Sequence, residues 1–317
     1  METKQCADTI MMIRPVNFRY NEETAVDNYY QRIVENLHPE DAQKKAREEF
    51  DALVQKLRER QVNVIVIDDT PAPDTPDSIF PNNWISFHDD GRVGLYPMYA
   101  HNRRLERRDE ILATLENDYH LKISGIEDFS FHEDEDRFLE GTGSMILDRP
   151  NKLAYAALSF RTNADVLDEF CKKFGYEPVA FNAYQTANGK RVPIYHTNVM
   201  MCVAEDFAII CDAAIDDSTE REKVLSSLEQ TGKEIISIKE EQKYRFAGNM
   251  LQVRSTAGQR YLVMSSAAYE VLTEAQKSAI EKHCPIIHSS LDTIEALGGG
   301  SARCMMAEVF LPLQHKN

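Results

Sequence analysis

The chain has no long apolar run, no excess of basic residues, no paired cysteines and no glycine phosphate loop. Its longest apolar stretches, such as Val64-Ile65-Val66-Ile67 and Phe207-Ala208-Ile209-Ile210, are strand-sized, whereas a bilayer span needs about 20 residues. The N-terminus has no basic start followed by an apolar signal core, so export through a signal peptide is not expected. Lys and Arg number 36 against 52 Asp and Glu, a net charge of −16. Neutralising phosphates needs clustered basic side chains, so nucleic acid and anionic membranes are not expected partners.

The six cysteines are Cys6, Cys171, Cys202, Cys211, Cys284 and Cys304. None forms a C-x-x-C pair and none has a histidine at structural zinc spacing. Scattered thiols of this kind fit a reducing, cytoplasmic setting rather than a disulfide framework. Gly141-x-Gly143 lacks the third glycine and the downstream acid of a dinucleotide site.

What is present is a soluble composition, 43% hydrophobic and 28% charged over 317 residues. Phe50, Leu53, Val54 and Leu57 recur at helical spacing within residues 40–60, and the strand Val62–Ile67 follows directly. Further strands are expected at residues 9–13, 93–98, 153–158, 199–203, 207–211, 234–238 and 286–289. Helices are expected from about Asn163 to Phe174, over 217–230 and over 274–283. Thr162 or Asn163 is the expected N-cap of the first of these. Helices and strands alternate, with hairpins such as 199–203 with 207–211, so the class is α/β with mixed sheets.

Several residues carry possible chemistry, and each also has a plain structural reading. Gly298-Gly299-Gly300 implies a tight turn or a close backbone approach, and Cys304 follows it. A thiol beside an amide-rich turn and Arg303 can be reactive, though free cysteines are usually core. His196 stands at the start of an apolar strand, where a lone histidine is more often a satisfied structural residue. Glu140 precedes Gly141-x-Gly143, the pattern of a strand mouth or of a simple turn. Arg161, just before a helix, is placed to clamp a carboxylate. The proline- and aspartate-rich stretch 68–77 reads as a solvated loop that could carry function. Arg103, Arg104, Arg107 and Arg108 read as a solvated helix face.

The ordered set Leu139-Glu140-Gly141, Ser159-Phe160-Arg161-Thr162-Asn163, His196-Thr197-Asn198 and Gly299-Gly300-Ser301-Ala302-Arg303-Cys304 resembles the guanidine-modifying superfamily of the pentein fold. That group includes the arginine and agmatine deiminases, dimethylarginine dimethylaminohydrolase and the amidinotransferases. The resemblance spans nearly the whole chain. It implies one domain over residues 1–317, an α/β propeller of about five ββαβ units around a pseudo-fivefold axis with a central site. It implies Cys304 as nucleophile, His196 as acid and base, and Glu140 as the group orienting His196 and accepting substrate N–H bonds. Arg161 would hold an α-carboxylate; Asn83, Asn198 and Asn249 would line the substrate. No metal and no organic cofactor is implied; the partner is a small amino acid, with a homo-oligomer left open.

Two departures bear on the substrate. Where Asn83 stands, arginine-processing members carry an aspartate, and the deiminases carry another where Asn198 stands. A guanidinium offers only N–H donors, whereas a ureido group ends in an accepting C=O, to which an asparagine can donate. With Met12-Ile13-Arg14-Pro15-Val16-Asn17 and Phe80-Pro81-Asn82-Asn83-Trp84, this is similar to the citrulline-utilisation branch. The expected reaction is hydrolysis of citrulline to ornithine, ammonia and carbon dioxide through a covalent Cys304 intermediate. The alternatives are an arginine deiminase or dimethylarginine dimethylaminohydrolase, an amidinotransferase, and a non-catalytic binding protein on the same fold. Loops 68–78 and 129–137 are the expected covers of the site, and Asp77 a weaker site candidate than Asn83.

Overall fold

The computed structural model describes residues 3–35, 37–187 and 189–314. Among them are five three-stranded sheets built to one plan, plus a separate hairpin of Tyr184–Ala187 with Lys190–Pro193. In each sheet a middle strand pairs antiparallel with one neighbour and parallel with the other. Arg92–Leu95 lies between Ile85–Phe87 and Gly125–Asp128. Leu153–Ala157 lies between Ile146–Asp148 and Glu177–Phe181. Phe207–Ile210 lies between Met201–Val203 and Glu234–Ser237. Arg260–Ser265 lies between Leu251–Arg254 and Ile286–Ser289. The fifth sheet joins distant parts of the chain: Thr9–Arg14 pairs with Asn63–Asp68 and with Ala307–Glu308.

The parallel pairing dictates the connections, because a parallel neighbour is reached only by a crossover. The crossovers include the helices Pro39–Glu59, Asp109–Asn117, Ala164–Phe174, Ser218–Gln230 and Glu274–Glu281. Pro39–Glu59 buries Ala42, Ala46, Phe50, Leu53, Val54 and Leu57 along one face. Each large apolar side chain there contributes about 1.5–3 kcal/mol by leaving water. Asn163 caps Ala164–Phe174, its side chain accepting from the Asp165 and Val166 N–H groups, and Gly175 ends the helix at φ 72°.

The antiparallel outer strands are short, two to four residues, and three pairs of them touch across sheets: Ala307–Glu308 with Ile85–Phe87, Ile146–Asp148 with Met201–Val203, and Met201–Val203 with Leu251–Arg254. Just before each of the five, the chain makes a tight turn or a single helical turn, among them Pro81–Asn83, Gly141–Ser144 and Thr197–Val199. These five turns carry Asn83, Glu140, His196 with Asn198, Asn249, and Cys304.

The run Arg103–Arg108 is not a solvated helix face. The helix His101–Arg104 is one turn long, and Arg103 is buried against Glu106. Arg107 holds Glu133 and the Tyr96 carbonyl, and Arg104 the Met98 carbonyl. Among the described residues, no helix is long and apolar enough to cross a membrane.

Candidate active site

The turn ahead of Ala307–Glu308 fixes Cys304. Its N–H donates to the Ser301 carbonyl at 3.0 Å, and the Ser301 hydroxyl donates to Glu295 at 2.6 Å. The glycines before it are hemmed in on both sides. A Cβ on Gly300 would stand 2.9 Å from the Phe80 ring, and one on Gly299, at φ 63°, only 2.5 Å from the Asn28 amide. The triple glycine is therefore both a turn and a close backbone approach.

Behind the sulfur stand two asparagines. Asn249 Nδ2 donates to Cys304 Sγ at 3.2 Å and Asn198 Nδ2 at 3.4 Å. The Asn249 amide is oriented from its other end, where Oδ1 accepts the Arg303 N–H at 3.0 Å. Both were expected as substrate contacts; the cavity wall does not include them, and they face the thiol instead. Two N–H donors suit a thiolate, as an anion prefers oriented donors to burial in apolar surroundings.

Glu140 is fully buried before Gly141–Ser144. Its Oε1 accepts the Tyr99 N–H at 2.9 Å and its Oε2 meets His196 Nε2 at 2.7 Å. Burial alone would raise the Glu140 carboxyl, but Arg161, the hydrogen bond from His196 and Arg103 outweigh it and hold the group at about 2. An ionised carboxylate only accepts, so Nε2 of His196 carries the proton and Nδ1 is left with a lone pair. Burial, ahead of the opposing pull of Glu140, lowers the His196 pKa, which keeps the ring neutral.

The cavity is bounded by Asn83, Arg161 and Tyr195, by His196 and Cys304, and by the Gly298–Gly300 backbone. It has room for about one water, about 20 Å³, so a ligand the size of an amino acid enters only with a shift of its walls. Thr24, Asn28, Asp77 and Arg103 also reach it. Asn83 accepts from Arg103 Nη1 through Oδ1 at 2.8 Å, and its Nδ2 is buried without a partner. A Cβ on Gly143 would come within 2.3 Å of that Nδ2 and 3.0 Å of the His196 ring, so only glycine leaves both in place. Asp77 accepts from Asn21 and Thr24 on Oδ2, while Oδ1 has no partner.

Arg161 lines the cavity, but its fork is already filled. Nε donates to Asp27 Oδ2 at 2.9 Å, Nη2 to Asp27 Oδ1 and the Thr24 carbonyl, and Nη1 lies 3.5 Å from Glu140. The expected clamp on a substrate carboxylate is thus occupied by a carboxylate of the protein. Asp27 belongs to the segment 21–32, which straps the glycine turn: Asn28 and Gln31 donate to the Gly298 and Leu297 carbonyls, and Arg32 N–H to Ala296.

This strap, rather than either expected loop, covers the site. Of loop 68–78 only Asp77 reaches the cavity, and of 129–137 nothing does. Nor is the first loop simply solvated: Asp69, Thr75, Asp77 and Ser78 are buried, with Asp69 accepting from Ser78 and Thr75. Arg103 and the strap were not identified from the sequence. Glu106, three residues after Arg103, is the one local sign of a paired rather than a solvated arginine. Among the described residues no group of three or more His, Cys, Asp or Glu side chains could hold a metal ion.

Comparison with proteins of known structure sets the class. The cyanobacterial arginine dihydrolase ArgZ of the ornithine–ammonia cycle is similar at a TM-score of 0.73 and 19% identity, over 96% of this chain and 41% of that one. This chain thus spans about two-fifths of the full-length relative, but 99% of its separately solved N-terminal domain, which was captured with substrate (TM-score 0.72). A dimethylarginine dimethylaminohydrolase variant carrying an S-methyl-L-thiocitrulline adduct is similar at 0.63 and 15% identity, over 95% of this chain and 99% of that one. No curated protein matches the sequence itself. The fold is that of the pentein, guanidine-modifying superfamily of carbon–nitrogen hydrolases. Within it the chain belongs to the family described as N,N dimethylarginine dimethylhydrolase, eukaryotic, whose model matches residues 14–311.

Proposed function

We propose that the protein is a cysteine hydrolase of a ureido amino acid, converting citrulline to ornithine, ammonia and carbon dioxide. The five sheets would ring a pseudo-fivefold axis in one catalytic domain, with the cavity on that axis. The observation that carries the substrate choice is Asn83: its Oδ1 is taken by Arg103, so the atom left for a ligand is a buried N–H donor. A ureido oxygen satisfies that donor. A guanidinium, all donors, leaves it unpaired, and an unpaired buried polar group costs about 1–3 kcal/mol.

In this reading Cys304 Sγ, stabilised as thiolate by the Asn198 and Asn249 N–H groups, attacks the ureido carbon. His196 Nδ1 takes the thiol proton and passes it to the departing amine as the C–N bond breaks. Glu140 holds the ring through Nε2 and stabilises the imidazolium. A water then gives its proton to His196 and attacks the thiocarbamate. The C–S bond breaks, the thiolate returns, and the carbamate loses carbon dioxide. One water is consumed, and the balance holds for either order of amine departure. Asp77 Oδ1, unpartnered at the cavity, is available to the α-ammonium. Arg161 takes the α-carboxylate in exchange for Asp27.

A second reading, attack on arginine or a methylarginine, draws on the unpartnered acceptor Asp77 Oδ1 at the cavity, which suits an N–H donor. Mass spectrometry of products from L-citrulline, L-arginine and dimethylarginine, with Cys304→Ser beside each, separates the two. Ornithine from citrulline, absent with the variant, is the expected result. Citrulline accumulating from arginine or dimethylarginine would overturn the ureido reading.

A further inference from the structure

The turn that carries Cys304 has few side chains with which to hold itself. Gly298, Gly299 and Gly300 have none, Ala302 has a methyl group, and Arg303 turns away to the Met306 carbonyl at 2.8 Å and to Glu308 at 3.0 Å. Ser301 is left, fully buried, and both its polar groups are engaged: the carbonyl by the Cys304 N–H, the hydroxyl by Glu295 Oε1 at 2.6 Å. Glu295, 6% exposed in the helix Asp292–Gly298, has no part in the steps above. Glu49 fixes the start of that helix, accepting the Thr293 and Ile294 N–H groups at 2.9 and 3.0 Å. A second hydroxyl, of Ser265 at the end of the strand Arg260–Ser265, also bonds the Glu295 carboxyl. Its oxygen accepts the Ala268 N–H at 3.1 Å, so its proton is the one offered to Glu295. Two hydroxyls from different elements thus converge on one carboxyl. Burial, with Asp292, lifts that carboxyl to about 7 against the two serines and Arg245. Protonated or ionised, it keeps an oxygen that accepts from Ser301.

Resting on Cys304 as the nucleophile, we propose that Glu295 is a positioning residue of the reaction: through Ser301 it sets the turn that brings Cys304 Sγ to the Asn198 and Asn249 N–H donors. Glu295 is absent from the cavity wall, so it acts only through the turn. A shift of about 1 Å can cost about a hundredfold in rate, and a thiolate moved off its donors forms less readily.

The test is the pH profile of Cys304 alkylation by iodoacetamide, read by peptide mapping, beside kcat and KM for L-citrulline. Glu295→Ala and Ser301→Ala should each move the alkylation midpoint up by about one pH unit, as for a lost hydrogen bond to a charged group. Each should lower kcat about tenfold with KM within a few-fold. The double variant should do no more than either alone. Glu295→Gln retains an acceptor for Ser301 and should keep the parent midpoint and most of kcat. An unmoved midpoint in folded Glu295→Ala, with stability alone reduced, would mark Glu295 as structural support and overturn the proposal. Additive effects of the two substitutions would overturn it as well. Should Glu295→Ala fail to fold, an unmoved midpoint in Ser301→Ala decides against it equally. The earlier reading has its own readouts. Turnover that survives in Cys304→Ser removes the nucleophile, and turnover of arginine in place of citrulline removes the ureido substrate, whereas the place of Glu295 is still judged by the midpoint.

Discussion

Arg103 and Arg161 line one cavity and are both buried, but their carboxylate partners differ. Arg103 is paired with Glu106, three residues away and itself buried, so that pair is sealed within one short segment. Arg161 is shared between Glu140, fully buried, and Asp27, 28% exposed on the strap and 134 residues distant in sequence. The carboxylates respond in opposite ways. Burial drives Glu106 up to about 7 despite Arg103, whereas Glu140, with Arg161, His196 and Arg103 around it, is held at about 2. One arginine fixes a neighbour in place; the other joins Glu140 to the strap over the cavity. A sealed pair suits orientation, and a half-exposed one suits exchange with a ligand.

The largest expected effect comes from breaking the shared pair. Arg161→Leu removes the cation nearest Glu140, leaving the buried carboxylate with its Tyr99 and His196 hydrogen bonds and the more distant Arg103, and should cost about 3–5 kcal/mol, read as a lower urea midpoint with unchanged slope. Arg103→Leu should cost less, about 1–3 kcal/mol, because Glu106 can protonate, and its cost should grow with pH. Equal losses at every pH would erase the distinction between the two arginines.

A smaller effect is the pH dependence of the intact protein. Glu140 is lowered from the ordinary 4.5, so its stabilisation is complete above that value and is lost as pH falls toward 2. Glu106 is raised, so the folded protein keeps a proton that the unfolded chain releases near 4.5. Stability should therefore fall as pH rises from 4.5 to 7, by about 3 kcal/mol for a group shifted this far. Burial likewise lifts Glu295 to about 7, adding a second decline in the same window. Glu106→Gln should remove its own share and leave that of Glu295. Urea midpoints across pH 4–8 check this, and an identical slope in the variant would contradict it.

The same contrast explains what the sequence disclosed. Cys304, His196 and Glu140 were singled out by the ordered resemblance rather than by any one motif, and the one-plan sheets put Glu140 against His196 and bring His196 and Cys304 to one cavity. Most strands and helices fell within a few residues of expectation, since alternating apolar segments mark a half-buried strand or an amphipathic helix locally. Asn198 and Asn249 were singled out, but their contact with the sulfur was not legible: which end of an amide meets it depends on Arg303 N–H and on packing across sheets. The strap was invisible because its role lies in contacts such as Asn28 to Gly298, 270 residues apart. Arg103 was masked by three arginines that lie nearer the surface.

The most direct test of the account is Asn83→Asp, assayed by kcat/KM on L-citrulline and L-arginine. The new carboxylate would keep the Arg103 contact and turn an acceptor, not a donor, toward the ligand. Citrulline turnover should fall by at least about a hundredfold, with arginine consumption gained. Citrulline turnover within a few-fold of the parent protein would contradict the claim that the Asn83 N–H selects the substrate.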